Sequence, residues 1–259
     1  MLKFLKIIFF SAVLLVLQFC KTSENVPRST GTQTIKVAAA ANLRFVLEDL
    51  KKDFISKNPN YRIEIVFGSS GTLTQQIING ADFDLFLSAN TKFPATLDNK
   101  GLTMSKPNVY TRGKIALWSM NIDVSKGLKV LENKSINKIA VANPELAPYG
   151  RNTVVALEKI GAYESLKSKI VWGENISQTA QFVSSRNADI GFVSLSTVLA
   201  PEMRGKGNYY VLTSQEASPI EQGGVILKSG NQDYTSKFYS YITSETAKPI
   251  WAKYGYENN

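Results

Sequence analysis

From residue 35 onward, short apolar runs alternate with segments in which apolar residues recur at helical spacing. The first run, Ile35-Lys36-Val37, precedes a helical pattern over residues 43–54, which Asn58-Pro59-Asn60 ends. Residues 61–67 then alternate apolar and polar side chains, as a half-buried strand does. Strands that alternate with helices predict an α/β fold, with mostly parallel sheets that carry helices on both faces.

The same alternation continues to the carboxyl end of the chain. Apolar runs predict further strands at 85–87, 115–118, 139–141, 170–172, 190–193, 209–212 and 223–227, and helical patterns fall at 151–160, 176–186, 236–243 and 245–254. Because two helical patterns follow the last strand, we expect the carboxyl-terminal segment to return to the first of two lobes. The predicted lobes are residues 35–112 with 222–259, and residues 113–221.

The amino terminus has the pattern of an export signal. Lys3 and Lys6 stand at the start of an apolar run, residues 7–17, that only Ser11 interrupts. A basic start followed by a short apolar stretch is typical of a secretory signal, and this stretch is too short to span a membrane comfortably. Residues 1–19 are therefore predicted to be a signal peptide, and the protein is predicted to be exported to the periplasm.

The residue after this predicted signal is Cys20, the only cysteine in the chain, which therefore cannot form an intramolecular disulfide. It resembles the lipidated cysteine of bacterial lipoproteins, with Leu17 at the third position before it. Phe19 departs from that pattern, since a small residue normally precedes the lipidated cysteine, and a plain signal peptide is the alternative. Residues 20–34 are rich in turn formers and are predicted to be a lipid-anchored, flexible tether to the membrane.

The composition excludes several classes of function. The chain contains no histidine, which removes the commonest general base and the commonest metal ligand. Ser-His-Asp and Cys-His catalytic arrangements are excluded, and we expect neither an enzyme nor a cofactor or bare metal-ion site. The 30 Lys and Arg against 21 Asp and Glu give a formal net charge of +9, but the basic residues are scattered. Such a dispersed basic surface indicates no nucleic-acid partner.

Polar residues with hydrogen-bond donors occur at five junctions between predicted strands and predicted helices. They are Asn42, Ser69-Ser70 between two glycines, the segments 143–150 and 174–177, and Ser194. Neutral hydroxyl groups and backbone N–H groups can hold an oxyanion there, because the first N–H groups of a helix have no partner within it. Each junction alone is more typical of helix capping. The spread of all five over both predicted lobes favours an anion site.

Several segments of the chain resemble the motifs of one known family. They are Ala39-Ala40-Ala41-Asn42-Leu43, Gly68-Ser69-Ser70-Gly71-Thr72-Leu73 followed by Gln76-Ile77, Gly80-Ala81-Asp82-Phe83-Asp84-Leu85-Phe86, Asn143-Pro144 with Ala147-Pro148-Tyr149-Gly150, and Asp189-Ile190-Gly191-Phe192-Val193. In this order, over residues 36–255, the chain resembles the periplasmic molybdate-binding proteins of ABC-type molybdate importers. The resemblance implies a two-lobed type II periplasmic-binding-protein fold with its ligand cleft between the lobes.

The resemblance also implies which residues hold the anion. They are Asn42, Ser70, Tyr149, Ile176 and Ser194, with Ser69 as an adjacent candidate. Tyr149 and Ile176 would act through backbone N–H groups, Asn42 stands where many members have serine, and Ser194 stands where others have tyrosine. The implied function is the capture of molybdate, and of tungstate, by a monomer that delivers the anion to an inner-membrane ABC permease. Molybdenum would be bound only as its oxyanion.

Two other functions are alternatives. The departures at Asn42 and Ser194 allow the same fold to bind another anion, such as sulfate, phosphate or an organic acid. A hydrolase that uses a serine of Gly68-Ser69-Ser70-Gly71 is the third hypothesis, and the missing histidine argues against it.

Overall fold

The computed structural model describes residues 32–228 and 231–257. The predicted signal peptide and Cys20 lie outside the described residues, so export and lipidation remain predictions at this stage. Thr32–Asn259 forms one compact unit. No helix within the described part of the chain is long and apolar enough to cross a membrane.

The strands occupy most of the predicted positions. In chain order they are β1 (Gln33–Ala40), β2 (Tyr61–Gly68), β3 (Leu85–Leu87), β4 (Asn108–Gly113), β5 (Ile115–Ser119), β6 (Ile139–Ala142), β7 (Ile170–Gly173), β8 (Ile190–Ser194), β9 (Asn208–Val211) and β10 (Ile220–Ile226). The predicted tether at 20–34 is too long at its end, because Gln33 and Thr34 already belong to β1 and pair with Tyr61 and Arg62. That pairing with a distant strand is not visible in the local sequence pattern.

The helices follow the strands as the alternation predicts. They are α1 (Arg44–Lys57), α2 (Ser70–Ile78), α3 (Lys92–Asn99), α4 (Pro148–Lys159), α5 (Tyr163–Leu166), α6 (Ile176–Ser184), α7 (Leu195–Leu199), α8 (Gln232–Ile242) and α9 (Lys248–Lys253), with 3₁₀ turns at Ala41–Leu43, Gly127–Glu132, Lys167–Lys169, Pro201–Met203 and Glu245–Ala247. In α1 the buried residues are Val46, Leu47, Leu50 and Phe54, which is one face of a helix. Burial of each such side chain stabilises the fold by about 1.5–3 kcal/mol.

Two five-stranded sheets form the centres of two lobes. The first sheet has the strand order β2-β1-β3-β10-β4, and the second has the order β7-β6-β8-β5-β9. We call the part of the chain around each sheet lobe 1 and lobe 2. The predicted two-lobed α/β architecture is thus confirmed, and both sheets are flanked by helices.

Each sheet is mixed. In lobe 1, β1 pairs in parallel with β2 and β3, whereas β10 is antiparallel to β3 and β4. In lobe 2, β6 pairs in parallel with β7 and β8, whereas β5 is antiparallel to β8 and β9. β5 and β10 thus each run antiparallel to their neighbours in the sheet. The chain enters lobe 2 through β5 and returns to lobe 1 through β10. The predicted parallel pairing therefore holds for the strands that alternate with helices inside a lobe.

The carboxyl-terminal helices lie on lobe 1, as the sequence predicts. The ring of Phe238 in α8 contacts Phe54 of α1 edge-on, with 5.1 Å between ring centroids. Trp251 in α9 is buried and contacts Tyr256 at 5.1 Å. These aromatic contacts place the last described residues beside the end of β1, where they reach the junction of the lobes.

Candidate functional site

A small cavity of about 10 Å³ lies between the lobes, at the carboxyl ends of β1, β2, β3 and β7. Its lining residues are Ala40, Ala41, Asn42, Gly68, Ser69, Ser70 and Ala89 from lobe 1, and Ala147, Pro148, Tyr149, Asn175 and Ile176 from lobe 2. None of these described lining residues carries a charged side chain. The cavity has about the volume that one water-sized sphere requires.

Two larger concavities have volumes of about 430 and 450 Å³, and the second adjoins the small cavity, with which it shares Asn175. Lys126, Lys129 and Glu132 are among the residues that line the first, and Arg44 and Glu174 are among those that line the second. Both therefore carry charges of both signs. The small cavity is the candidate site, because it brings together residues from four of the five predicted junctions and its lining is neutral.

The two adjacent serines at the start of α2 have different roles. Ser69 caps the helix: its Oγ accepts a hydrogen bond from Thr72 N at 3.2 Å and donates to Thr72 Oγ1 at 2.7 Å. Ser70 Oγ accepts from Ala89 N at 3.0 Å, and its hydroxyl hydrogen is donated to no described residue. Ser70 is 1% exposed and lines the cavity. The hydroxyl group of Ser70 is therefore the available donor, and that of Ser69 is committed to the cap.

Asn42 lines the cavity but caps no helix. Its Nδ2 donates to Gln222 Oε1 and to Tyr256 OH, both at 2.9 Å. Its Oδ1 is buried and has no hydrogen-bond partner within the described structure. The backbone oxygen of Asn42 accepts hydrogen bonds from Ser196 Oγ at 2.7 Å and Tyr256 OH at 2.8 Å. Asn42 is thus held firmly in place, with one amide atom unpaired.

Two residues of lobe 2, Tyr149 and Ile176, line the same cavity and lie at helix starts. Tyr149 is the second residue of α4, and no side chain caps that helix. Ile176 is the first residue of α6, whose cap residue Asn175 accepts hydrogen bonds from Ser177 N and Gln178 N but not from Ile176 N. Neither N–H group has an acceptor among the described residues. Both are the free donors that a helix start provides, and the helix dipole adds a field that favours an anion.

Ser194 is placed differently from the prediction. It lies at the end of β8, is completely buried and does not line the cavity. Its Oγ is 3.0 Å from Ser196 Oγ and 2.8 Å from Thr197 Oγ1, so that it belongs to a cluster of hydroxyl groups at the start of α7. A serine is too short to reach past this cluster. Ser194 contributes to the site only indirectly, since its partner Ser196 bonds to the backbone of Asn42.

Four buried residues behind the cavity were not predicted from the sequence: Gln222, Tyr256, Tyr110 and Ser196. Gln222 is the centre of the group. Its Oε1 accepts from Asn42 Nδ2 and lies 3.4 Å from Tyr110 OH, and its Nε2 donates to Tyr149 OH at 3.3 Å. The only signal in the sequence is the alternation at the start of β10, where Ile220 and Gln222 share the buried face and Glu221 is exposed.

The tyrosines of this group are neutral at physiological pH. Burial raises the pKa of Tyr110 and Tyr149 well above the usual value, and it raises the pKa of Tyr256 to about 12. The cavity therefore presents neutral donors with neutral groups behind them. A hydrolytic serine needs a general base, and none of the described lining residues supplies a carboxylate, an amine or an imidazole.

Hydrogen bonds join the lobes around the cavity, among them those from Gln222 Nε2 to Tyr149 OH at 3.3 Å and from Tyr256 OH to Ser196 Oγ at 3.2 Å. Gly71 N donates to Leu146 O at 2.9 Å, Ser177 Oγ donates to Ala41 O at 3.2 Å, and Ser196 Oγ donates to Asn42 O at 2.7 Å. A Cβ atom at Gly71 would lie 3.0 Å from Leu146 Cα. The closeness of the lobes at this point therefore depends on the missing side chain.

Comparison with known proteins gives a consistent result. The model of the family described as bacterial extracellular solute-binding protein matches residues 35–257. The molybdate-binding protein ModA of Azotobacter vinelandii is 34% identical over 225 residues, which cover 86% of this chain and 89% of that protein. The putative ABC transporter substrate-binding lipoprotein YvgL of Bacillus subtilis is 27% identical, with 92% of this chain and 91% of that protein covered. The structure of the periplasmic molybdate-binding protein of Azotobacter vinelandii superposes with a TM-score of 0.82 at 31% identity, and covers 87% of this chain and 99% of that one.

Proposed function

The chain belongs to the family of bacterial extracellular solute-binding proteins, and we propose that it captures molybdate or tungstate outside the inner membrane and delivers the anion to an ABC-type import permease. The relatives are solute-binding proteins, and membership of this family implies export.

The observation that carries the proposal is the convergence of neutral donors on one cavity. Ser70 Oγ from lobe 1 and the N–H groups of Tyr149 and Ile176 from lobe 2 all lie there without a partner among the described residues. A dianion with four oxygens can accept hydrogen bonds from all of them. Hydrogen bonds to a charged acceptor are about twice as strong as neutral ones, so the site needs no countercharge to bind tightly.

The same chemistry explains why capture would be reversible. A buried Lys or Arg would be left without its partner each time the anion departs, which is costly. Neutral donors at helix starts carry a smaller penalty. Because a tetrahedral oxyanion is larger than the cavity, its binding requires the lobes to move slightly apart and then close on it.

Fully deprotonated anions suit this site best. Ser70 Oγ and the N–H groups of Tyr149 and Ile176 have hydrogens to give, whereas a protonated oxyanion such as hydrogen phosphate would also need an acceptor, for which Asn42 Oδ1 is the one unpaired side-chain oxygen of the described lining. Sulfate is fully deprotonated but smaller than molybdate, and we expect donors that reach across from two lobes to hold the larger anion better. These considerations favour molybdate and tungstate over sulfate, phosphate and organic acids.

The residues proposed to bind the anion are Ser70, Tyr149, Ile176 and Asn42, whose common position around the cavity supports the assignment. Ser69 acts as the helix cap beside them. We further propose that Cys20 carries the lipid that tethers the protein beside its permease, an assignment supported by the lipoprotein named among its relatives.

Isothermal titration tests the function directly. The chain from Lys21 onward, which contains the whole compact unit Thr32–Asn259, is titrated in turn with molybdate, tungstate, sulfate and phosphate after removal of any carried-over ligand. We expect one-to-one binding of molybdate and tungstate and no heat from sulfate or phosphate. Folded protein that binds sulfate or phosphate in preference would refute the proposed substrate, and turnover of an ester that Ser70→Ala abolishes would refute the assignment as a binding protein.

A further inference from the structure

The amide of Asn42 has the wrong polarity for an anion in the arrangement described above. Both hydrogens of its Nδ2 have acceptors, Gln222 Oε1 and Tyr256 OH, at 2.9 Å. The amide atom left without a partner is Oδ1, which is buried. An unpaired acceptor repels the oxygens of an oxyanion, and an unpaired donor would attract them.

Gln222 has the same ambiguity and lies directly against Asn42. Its Oε1 faces Asn42 and Tyr110 OH, and its Nε2 faces Tyr149 OH. The oxygen and nitrogen of an amide group have nearly the same size. Each amide can therefore turn by 180° about its last bond without displacing any heavy atom around it.

If both amides turn together, each hydrogen bond between them is replaced by its reverse. Gln222 Nε2 then donates to Asn42 Oδ1 and to Tyr110 OH, and Gln222 Oε1 accepts from Tyr149 OH. Tyr110 OH can accept because its own hydrogen is donated to Ser88 O at 3.1 Å. The turned arrangement pairs the oxygen that is now unpaired and leaves Asn42 Nδ2 with hydrogens to give.

The Tyr256 hydroxyl group is compatible with both arrangements. It now accepts from Asn42 Nδ2 and donates to Asn42 O at 2.8 Å. After the turn it can donate to Asn42 Oδ1, since Ser196 Oγ continues to donate to Asn42 O at 2.7 Å. Burial keeps this hydroxyl group protonated, with its pKa raised to about 12.

We propose that Gln222 is a positioning residue for the anion site, and that the Asn42–Gln222 amide pair has the turned arrangement when the anion is bound, so that Asn42 Nδ2 donates to the anion. This inference rests on the proposed function. Gln222 touches the anion only through Asn42, and it supplies the donor that allows Asn42 Oδ1 to turn away from the cavity.

The local structure fixes Gln222 for this role. A β-bulge between Gln222 and Gly223 interrupts the pairing of β10 with β4 and directs the side chain inward. Gly113 lies beside it, and a Cβ atom there would be 2.5 Å from Gln222 Nε2 and 2.1 Å from Tyr149 OH. The amide of Gln222 is thus closely surrounded and free to turn only about its last bond.

One substitution, Gln222→Met, made both in the wild type and in an Asn42→Ser variant, separates a positioning role from a merely structural one. Gln222→Met keeps the length of the side chain and its neutrality but removes the amide. In the otherwise unchanged protein we expect Gln222→Met to weaken molybdate binding about tenfold, since Asn42 Nδ2 loses a partner that polarises it toward the anion. In an Asn42→Ser background the rotating hydroxyl group needs no such partner, and we expect Gln222→Met to change the affinity by less than about twofold.

Equal losses in the two backgrounds, or no loss in either, would overturn the proposal. A second measurement needs no substitution. In the labelled wild-type protein with molybdate bound, the strongest nuclear Overhauser contact of the Gln222 side-chain NH₂ should be with the Tyr110 ring. A strongest contact with the Tyr149 ring in protein shown by titration to bind molybdate overturns the inference alone, whereas wild-type protein that binds neither molybdate nor tungstate overturns the proposed function together with it.

Discussion

Replacement of Ser70 by alanine removes one side-chain donor and little else from the anion site. Ser70 is 1% exposed, and its Oγ accepts a hydrogen bond from Ala89 N at 3.0 Å. A lost hydrogen bond to a charged group costs about 1.5–3 kcal/mol. We therefore expect Ser70→Ala to weaken molybdate binding about 10- to 150-fold.

The same substitution leaves the N–H group of Ala89 without its acceptor. A buried unpaired donor costs about 1–3 kcal/mol of stability, so Ser70→Ala should also lower the melting temperature. Stability and affinity must therefore be measured separately, by thermal unfolding without ligand and by isothermal titration at a temperature where the variant is fully folded.

Ser69→Ala is the matched control because it lies next to Ser70 and its hydroxyl group is committed to Thr72. Loss of such a helix cap costs about 0.5–2 kcal/mol of stability. We expect this variant to be destabilised to a similar degree and to bind molybdate within about threefold of the wild type, since no direct hydrogen bond to the anion is lost. A Ser70→Ala protein that keeps its affinity, or a Ser69→Ala protein that loses as much, would refute the assignment of the two serines.

Three further predictions concern lobe closure and pH. Gly71→Val should weaken anion binding at least about tenfold, because a Cβ atom at this position lies 3.0 Å from Leu146 Cα and pushes the lobes apart. The unfolding of either lobe should change little. Titration and small-angle scattering with ligand would show this, and an unchanged affinity would contradict it. Molybdate affinity should be constant between about pH 6 and 9, because no described lining residue has a group that titrates there; a marked dependence in titrations over that range would contradict a neutral site. The pKa of Tyr256 is raised to about 12 from the usual 10.0, so the contribution of its neutral hydroxyl group to stability is fully present below pH 10 and is lost as the pH rises towards 12. Denaturant unfolding at increasing pH measures this loss of stability. In Tyr256→Phe the part of the loss that comes from Tyr256 should be absent.

Helix starts could be predicted from the sequence, because they depend on local structure. The end of an apolar strand, a Gly-Ser pair or Pro148 marks the junctions at which Ser70, Tyr149 and Ile176 lie. A helix start has free N–H groups wherever it occurs, so these junctions are candidate anion sites. The choice of these three residues within the junctions rests on the resemblance of their motifs to the molybdate-binding family. The alternation of strands and helices, which is also a local pattern, predicted the α/β fold.

Residues that act through distant contacts could not be predicted in this way. Gln222 reaches Asn42 over 180 positions of sequence, and Tyr256 reaches it over 214. Ser194 shows the opposite case: it stands at a predicted junction, but its side chain contacts neighbouring hydroxyl groups and does not line the cavity. The direction of a polar side chain at a junction depends on what packs behind it, and that is set by tertiary structure.

Asn42 connects the selection of the anion to the arrangement of the lobes. Its side chain lines the cavity, and its backbone oxygen accepts the hydrogen bond from Ser196 that joins lobe 1 to lobe 2. Movement of lobe 2 away from lobe 1 would break that bond, and it would also separate Gln222 from Tyr149 OH, its partner in both arrangements of the amide pair. The amide pair therefore keeps all of these partners only when the lobes are together. If a permease separates the lobes, Asn42 loses this support and the N–H donors of lobe 2 move away in the same motion, so that affinity falls where the anion is to be delivered.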